Sequence, residues 1–561
     1  MLIKFFKLVL IFLFFQSPLY SKKKTFDDFN LDHLSNYFSG IFAYDNNDNP
    51  EALNYFRSSK SLIKEHDTYL EKYVYSLVLE GKVIQATNEL KQNLTENNSN
   101  FFEAHLLLAL DSLKKKKYSQ SRKHLKKSYA FINNNKISLV IAETLKEYLY
   151  VFEKNKLSGT KKKFGNFSFT NEVFQRCFLD DKKTQVYYES LINNENESDY
   201  SRYIFFYINY LVENDKYLEA KKIIDNLDYS NSTMLISQTK YWIENQEIRE
   251  LKKVFSCKNP KDLVSELFFL IANLYSSKND YENSNFYLNI SHNLNPKFIF
   301  NLSLLAENYF FSKNYKKTLT ILDSFNKKYY FYYWFRLKKE AQIISKKKNN
   351  VASLKFINSK FKTIKNPSIK MIYDIANFHK NAKKYKKAIY YYDQVISKID
   401  DDSPLYSEIL YRRGSSYERM GDYKNSDKDL LKSLEINPKD AYVLNYLAYS
   451  WLERNYKIDR ALQMLESAYQ SKSNDPYIID SIGWAYYLIN DYVKAEKFLK
   501  RAVELMPVDP IVNDHYADIL WKLDRKIQAR YFWNSVLNFE ETEKKMIKKI
   551  KIKLIDGVKK F

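Results

Sequence analysis

Residues 476–510 show the hydrophobic pattern of two short helices packed against each other. Small residues stand at Gly483, Ala495 and Ala502, where antiparallel helices need to approach closely. Pro507 ends the second helix, because proline lacks a backbone N–H and clashes with the preceding turn. Bulky apolar residues fill the space one turn away: Ile479, Ile482, Tyr486 and Leu499. The pattern predicts one helix–turn–helix unit.

The same spacing recurs along most of the chain. Near the N-terminus, Gly40 and Ala52 lie 12 residues apart, as Gly483 and Ala495 do. In the C-terminal half, a small residue recurs every 34 to 38 residues: Ala272, Ala306, Ala341, Ala376, Gly414, Ala448, Gly483 and Ala517. A helix hairpin cannot bury its apolar face alone, so the hairpins are predicted to stack and share one core.

This spacing resembles the tetratricopeptide repeat (TPR), a helix–turn–helix unit of about 34 residues. Longer segments, among them DPYIIDSIGWAYYLINDYVKAEKFLKRAVEL, are similar to exported TPR proteins of alphaproteobacteria. The resemblance extends over most of residues 35–555. It implies an all-α fold, a TPR superhelical solenoid of antiparallel helix pairs, and export from the cytoplasm. It implies no reaction and no particular ligand.

Residues 1–21 have the pattern of a secretory signal peptide. Lys4 and Lys7 precede the apolar run Leu8–Phe15, and Ser21 offers a small residue for cleavage. We therefore expect the mature protein in the periplasm. The alternative is an uncleaved N-terminal segment that anchors the protein in the inner membrane.

The remaining chain is predicted to divide into four parts. TPR-like repeats occupy residues 22–130, and degenerate helical repeats occupy 131–260, with an irregular loop near 156–170. A TPR array follows over 261–540. Residues 541–561 form a basic amphipathic segment with Met546, Ile550 and Leu554 on one helix face. We expect this segment to be a cap helix over the last repeat, with an interfacial membrane helix as the alternative.

The charge of the chain bears on its partners. The formal net charge is +23, and the lysines that supply most of the positive charge are spread along the whole length. A nucleic-acid surface gathers its positive charge on one face, so this distribution argues against a nucleic-acid partner. The charge does favour peripheral contact with anionic surfaces such as membranes.

No pattern for catalysis, a cofactor or a metal stands out. The eight glycines have neither the P-loop nor the dinucleotide-binding spacing. The seven histidines are scattered and no zinc-site pattern accompanies them. His515 lies near Asp514 and Asp518 and is interpreted as a polar histidine on a helix surface. We therefore predict that the protein is not an enzyme and has no cofactor.

Cys177 and Cys257 are the two cysteines of the chain. An even cysteine count and an export signal favour a disulfide between them, because exported proteins meet an oxidising environment. Such a bridge would close a loop of about 80 residues, which on the chain-entropy estimate stabilises the fold by about 4–5 kcal/mol. The alternative is two separate buried thiols.

Function is predicted to lie on the first helix of each repeat. In TPR arrays, positions 2, 5, 9 and 12 of that helix line a concave groove, and the resemblance selects nine residues here: Tyr411, Asn445, Tyr449, Asp480, Trp484, Tyr487, Asp514, Asp518 and Trp521. The aromatic rings suit apolar or proline-rich peptide side chains, and the amide of Asn445 suits a peptide backbone. The carboxylates favour a ligand with Lys, Arg or a free amine. Alternatively, some of these residues cap helices or pack between repeats.

Two functions follow from this interpretation. The first is an exported, non-enzymatic TPR scaffold or adaptor that binds protein or peptide partners in cell-envelope assembly. The second is an accessory protein of polysaccharide or peptidoglycan machinery that binds glycan through the aromatic groove. Neither the partner nor the oligomeric state follows from the sequence.

Overall fold

A computed structural model describes residues 31–64, 66, 68–94, 101–132, 135–159, 164–193, 201–227, 233–401 and 404–558. The predicted signal peptide lies outside these residues. Within them the regular structure is helical throughout, which confirms the all-α prediction. The chain divides into two compact units, with the boundary between Tyr333 and Trp334. In the described part of the chain, no helix is both long enough and apolar enough to span a bilayer.

Unit 1 is built from consecutive helices that pack mainly as antiparallel pairs. Its helices are α1 (Leu31–Asp45), α2 (Asn49–Ser58), α3 (Tyr69–Leu79), α4 (Val83–Asn93), α5 (Phe102–Lys114), α6 (Tyr118–Ser128), α7 (Lys136–Lys154), α8 (Asn166–Phe178), α9 (Thr184–Ile192), α10 (Ser201–Glu213), α11 (Tyr217–Asp225), α12 (Met234–Glu244), α13 (Ile248–Val254), α14 (Pro260–Ser277), α15 (Tyr281–Leu294), α16 (Leu302–Phe311) and α17 (Tyr315–Leu322).

Unit 2 begins after the first turn of the next helix and continues the pairing. Its helices are α18 (Tyr330–Lys347), α19 (Asn350–Phe361), α20 (Ile369–Asn381), α21 (Tyr385–Ile396), α22 (Pro404–Glu418), α23 (Tyr423–Ile436), α24 (Ala441–Glu453), α25 (Ile458–Ser471), α26 (Pro476–Leu488), α27 (Tyr492–Leu505), α28 (Pro510–Lys522), α29 (Lys526–Val536) and α30 (Lys544–Asp556).

A left-handed residue between paired helices marks the repeat in the backbone. From α20 onwards each turn between the first and second helix has a positive φ at the same place, at intervals of 34 to 38 residues: Lys383, Gly421, Asn455, Asn490 and Asp524, with a second one at Lys457. Gly, Asn and Asp tolerate this conformation best, and they supply four of these five positions. Positive φ at Asp180, Asp215 and Gln246 extends the same turn into residues 131–260, where the sequence pattern was weak.

Aspartate caps begin the first helix of three successive repeats. The side chains of Asp440, Asp475 and Asp509 each accept two hydrogen bonds from backbone N–H groups of the first helical turn. These donors have no partner within the helix, so each cap stabilises a helix start by about 1 kcal/mol. The caps therefore fix where α24, α26 and α28 begin.

The core of unit 2 follows the predicted packing positions. Ala448, Ala495 and Ala517 are fully buried between helices. At Gly483 a β-carbon would lie only 2.8 Å from the Cγ atom of Leu499, so only glycine lets α26 and α27 approach this closely. The repeat prediction is confirmed at these positions.

Unit 1 differs from a simple stack, because repeats distant in sequence touch. The carbonyl of Leu79 accepts hydrogen bonds from Asn289 Nδ2 at 3.3 Å and from the Tyr309 hydroxyl at 3.2 Å. Lys114 Nζ donates to the Asn293 carbonyl at 3.0 Å. In an open array each repeat contacts its neighbours only. The first repeats of the segment predicted as one array, 261–540, therefore belong with the N-terminal repeats.

The degenerate segment of unit 1 is closed by a disulfide. Cys177, near the end of α8, is bonded to Cys257, after α13, with the two Cα atoms 5.9 Å apart. Both residues are buried. The predicted irregular loop begins where α7 ends at Lys154, and its residues 160–163 lie outside the described part.

Candidate partner-binding groove

The predicted groove residues lie on four successive first helices of unit 2. Tyr411 is on α22, Asn445 and Tyr449 are on α24, and the other six divide equally between α26 and α28. Their surroundings differ, however. Seven of the nine lie around one buried histidine or the polar cluster next to it, which Trp521 joins through the Trp533 ring at 5.5 Å, whereas Tyr411 and Asn445 lie apart from them.

His515 is the centre of this arrangement. It is 5% exposed, so the interpretation as a surface histidine was wrong. Its Nδ1–H donates to the Asp480 carboxylate at 2.9 Å, and its ring stacks on Trp484 with 4.2 Å between the ring centres. Burial disfavours the imidazolium, but the Asp480 charge outweighs this and raises the pKa of His515.

The other two carboxylates are already paired within the chain. Lys553, from α30, places its ammonium 2.5 Å from Asp514 Oδ1 and 2.6 Å from Asp518 Oδ1. The indole N–H of Trp533 lies 3.1 Å from both oxygens. A free cationic ligand was expected at these carboxylates, but the chain supplies its own cation. Two close carboxylates need a buried counter-ion, because uncompensated buried charge is costly.

The electrostatics of this pair are unequal. Burial opposes ionisation of Asp514, but Lys553 and Lys549 outweigh it and lower the pKa of Asp514. Burial, with the Asp514 charge, raises the pKa of Asp518 to about 6 although Lys553 is adjacent. Asp514 pairs with both Lys553 and Lys549, whereas Asp518 pairs with Lys553, so Asp518 is the group that accepts a proton first.

Helix α30 covers this end of the groove. Ile550 is fully buried, and Met546 and Leu554 pack on the same core. After the helix, Gly557 has a φ of +73° and lies against the Trp521 indole, where a β-carbon has no room. The basic tail therefore packs as a helix on the last repeat, and it buries Trp521 partly as well.

A polar and aromatic surface remains open on α24 and α26. Tyr449 and Trp484 are partly exposed. Asn445 Oδ1 and Trp484 Nε1 are buried atoms without a hydrogen-bond partner among the described residues. An unpaired buried acceptor and donor each lose about 1–3 kcal/mol, unless a ligand or water pairs with them. Tyr487, in contrast, is buried and stacks on Trp484 at 4.7 Å.

Tyr411 lines a separate cleft. The cleft has a volume of about 330 Å³ and is bounded by α22 and the start of α24. Lys380 lies 5.7 Å from the centre of the Tyr411 ring. Burial, with the charges of Arg412 and Arg419, lowers the pKa of Lys380 to about 8. The cleft itself is lined by the carboxylates of Glu408 and Asp440, and Lys380 lies beside it.

Sequence reasoning missed His515, Lys553 and Lys380. A signal existed for the first: His515 follows Asp480 by 35 residues, which places both on adjacent first helices. No comparable signal existed for Lys553, because it is one of six lysines in α30. In the part of the chain that the structure describes, no three His, Cys, Asp or Glu side chains come together as a metal site.

The fold and this surface define a protein built from repeated helix hairpins. A family model described as tetratricopeptide repeat matches residues 407–440, which are α22 and α23 with the turn before α24. The predicted repeat that has Tyr411 at position 5 also begins at residue 407. Residues 407–440 thus match a tetratricopeptide repeat, and they lie within a longer series of helix hairpins.

Parts of this chain are similar to other proteins, some of which are described as TPR proteins. A TPR repeat-containing protein of Pseudomonas aeruginosa is 30% identical over 99 residues, 18% of this chain and 17% of its own length. Anaphase-promoting complex subunit 3 of Schizosaccharomyces pombe is 23% identical over 126 residues, 22% of this chain and again 17% of its own length. A solved thermophilic TPR protein of Thermus thermophilus shares 16% identity, with 34% of this chain and 100% of that chain covered and a TM-score of 0.30. The chain thus matches about a sixth of the length of the first two relatives.

Proposed function

We propose that this protein is an exported, non-enzymatic scaffold that binds a protein or peptide partner in the open part of the unit 2 groove. Its repeat family supports protein–protein interaction as the general role. The signal-peptide pattern of residues 1–21 and the disulfide between Cys177 and Cys257 support export, because disulfides persist in oxidising compartments. A role in cell-envelope assembly and a location in the periplasm are part of this proposal.

One observation carries the choice of site. Asn445 Oδ1 and Trp484 Nε1 are an acceptor and a donor that lack partners, on neighbouring helices of the groove. An extended peptide presents N–H donors and C=O acceptors in alternation, so it can pair with both atoms. Tyr449 supplies an adjacent ring against which an apolar side chain can pack.

The same geometry favours a peptide over a glycan. Glycan binding by aromatic residues needs an open ring face, and two rings of the chain, His515 and Tyr487, already stack parallel to Trp484. The faces of the indole are therefore largely covered within the chain. Tyr487, which the sequence placed in the groove, is buried and adds no open face.

The proposal is tested by cross-linking in cells followed by identification of the attached proteins. We expect a reproducible set of partners, and we expect the double substitution Asn445→Ala and Trp484→Ala to reduce their recovery at least tenfold. A tenfold loss corresponds to about 1.4 kcal/mol, which two lost hydrogen bonds supply.

The matched control is Tyr531→Ala. Tyr531 is 69% exposed on α29, the second helix of its repeat. The substitution therefore removes an aromatic ring outside the groove. Circular dichroism should show that both variants remain folded. Equal recovery with the folded groove variant and with Tyr531→Ala would refute this choice of site.

A further inference from the structure

Helix α30 has a sequence that is poorly suited to form a helix on its own. Lys544 and Lys545 stand in its first turn, where the positive end of the helix dipole repels cations. Lys545, Lys549 and Lys553 follow at four-residue intervals, so like charges lie on one face. Glu543, at the N-cap, makes no side-chain capping bond. The helix therefore depends on contacts with the rest of unit 2.

Those contacts form a defined site, which we call the α30 seat: Asp514, Asp518, Trp521 and Trp533. Lys553 reaches both carboxylates and Lys549 lies 3.5 Å from Asp514 Oδ2. Outside the seat, Glu543 pairs with Lys383 at 2.8 Å, but both side chains are about 70% exposed, so this pair contributes little.

Three of the four seat residues belong to the predicted ligand groove. Asp514, Asp518 and Trp521 stand at positions 5, 9 and 12 of the first helix of their repeat, as the sequence predicted. What they hold is an amphipathic helix with apolar residues at 546, 550 and 554 and lysines at 549 and 553. Binding of an amphipathic helix by its apolar face in a groove is a recurrent mode of peptide recognition.

We propose that the α30 seat is a recognition site for a cationic amphipathic helix of a protein partner, and that α30 is its exchangeable intramolecular occupant. The partner helix carries two lysines one turn apart beside an apolar stripe and displaces α30 when it binds. This inference rests on the proposed function and names the kind of partner and its regulation. Seven residues, 537–543, link α29 to α30 and keep the displaced helix nearby.

The tether determines how the site responds. A short linker holds α30 at an effective concentration on the order of 1 mM, so a partner in trans binds the closed chain weakly. Any change that loosens α30 increases the competent fraction and lowers the apparent Kd by the same factor. The seat therefore binds tightly only when α30 is released.

The test uses the full chain and a fluorescent synthetic peptide with the sequence of residues 541–558, followed by anisotropy. The variant Ile550→Asp with Lys553→Glu loosens the internal helix, and we expect it to bind the peptide at least tenfold more tightly than the unaltered chain. Adding Asp514→Asn and Asp518→Asn should abolish the gain. The matched control is Lys548→Glu, an exposed charge change on α30, which should leave the affinity unchanged.

A scrambled peptide of equal composition separates recognition from charge attraction. If the loosened, folded variant binds neither peptide, or binds both equally, the proposal is wrong. If that variant does not fold, hydrogen exchange on the unaltered chain decides: about 1 mM peptide should accelerate exchange of the α30 amides, and no acceleration would overturn the proposal. If the peptide does not accelerate exchange of the α30 amides while partner capture still depends on Asn445 and Trp484, the α30 inference alone is refuted.

Discussion

The two units of this protein use the same helix hairpin and differ in how it is tied together. In unit 1, hydrogen bonds and a disulfide connect elements that are 80 to 230 residues apart, such as Cys177 with Cys257 and Leu79 with Tyr309. In unit 2, repeats follow one another, the exposed Lys383–Glu543 pair between distant repeats contributes little, and polar groups accumulate on the first helices instead. The repeat period thus determines the helix hairpin. A few bonds between distant repeats, such as the disulfide and the Leu79–Tyr309 hydrogen bond, determine whether those repeats contact one another.

Buried charge shows the same difference. In unit 1, Arg202 makes a two-pronged pair with Glu266, at 2.7 Å for both bonds, and its guanidinium lies 3.7 Å from the centre of the Phe269 ring. Both charged groups of that pair therefore have their partners within unit 1. In unit 2, the Asp480–His515 pair lies beside partly exposed Trp484. Buried polarity therefore serves packing in unit 1 and lies next to the proposed binding surface in unit 2.

The largest loss of stability should come from removing the disulfide between Cys177 and Cys257 in unit 1. We expect Cys177→Ala with Cys257→Ala to cost unit 1 about 4–5 kcal/mol, because the open chain regains the entropy of a loop of about 80 residues. Hydrogen exchange resolved by segment measures this separately for each unit. The amides of α8–α13 should lose protection while those of α20–α29 remain unchanged.

Reduction with dithiothreitol is the control, since it opens the same link without a substitution and should reproduce the pattern. An equal loss of protection in both units would contradict the division at Tyr333 and Trp334. No loss in either unit would show that the bridge is not what closes unit 1.

The next effect concerns the buried ion pair. Arg202→Met leaves the Glu266 carboxylate, which is almost fully buried, without its partner, and we expect unit 1 to lose about 3–5 kcal/mol. Denaturant unfolding with the same exchange measurement checks this. The control is Lys252→Met: its pair with Asp215 is largely exposed, at 44% and 93%, so the loss should stay below about 1 kcal/mol. Similar losses from both would mean that burial does not govern these pairs.

The sequence predicted the fold because its information is local and repeated. Gly483, Ala495 and Leu499 carry the packing of one hairpin, and the same positions recur often enough to set the register of unit 2. The boundary at residue 333 was not predictable in this way. It depends on single contacts such as Asn289 with Leu79, and nothing in the period of the repeat distinguishes a residue that makes such a contact.

The sequence predicted where the candidate site lies on the helices, but not which of its side chains are buried and paired. Asn445, Tyr449 and Trp484 lie on the open surface, but Asp480, Asp514 and Asp518 are buried and paired. Their partners come from the next repeat and from α30, so pairing depends on tertiary contacts. A rule that assigns helix faces cannot recognise that one lysine among many fills the space of a ligand.

The smallest predicted effect tests the two units through the pH dependence of two histidines. Burial with no compensating charge lowers the pKa of His292 in unit 1, whereas Asp480 raises the pKa of His515 in unit 2. A raised pKa stabilises the fold below the unfolded value of about 6.5, and this is lost as pH rises through the folded value. A lowered pKa has the opposite effect, and stability falls as pH drops below about 6.5.

We therefore expect His515→Asn to cost about 1.5 kcal/mol at pH 6, the low end for a hydrogen bond to a charged group, and less at pH 9. For His292→Asn, the stability of the variant relative to the unaltered chain should improve as pH falls from 8 to 5. Thermal unfolding of both variants across this range measures the two slopes. Slopes of the same sign would contradict the comparison, because only a carboxylate such as Asp480 makes the imidazolium the favoured form of a buried histidine.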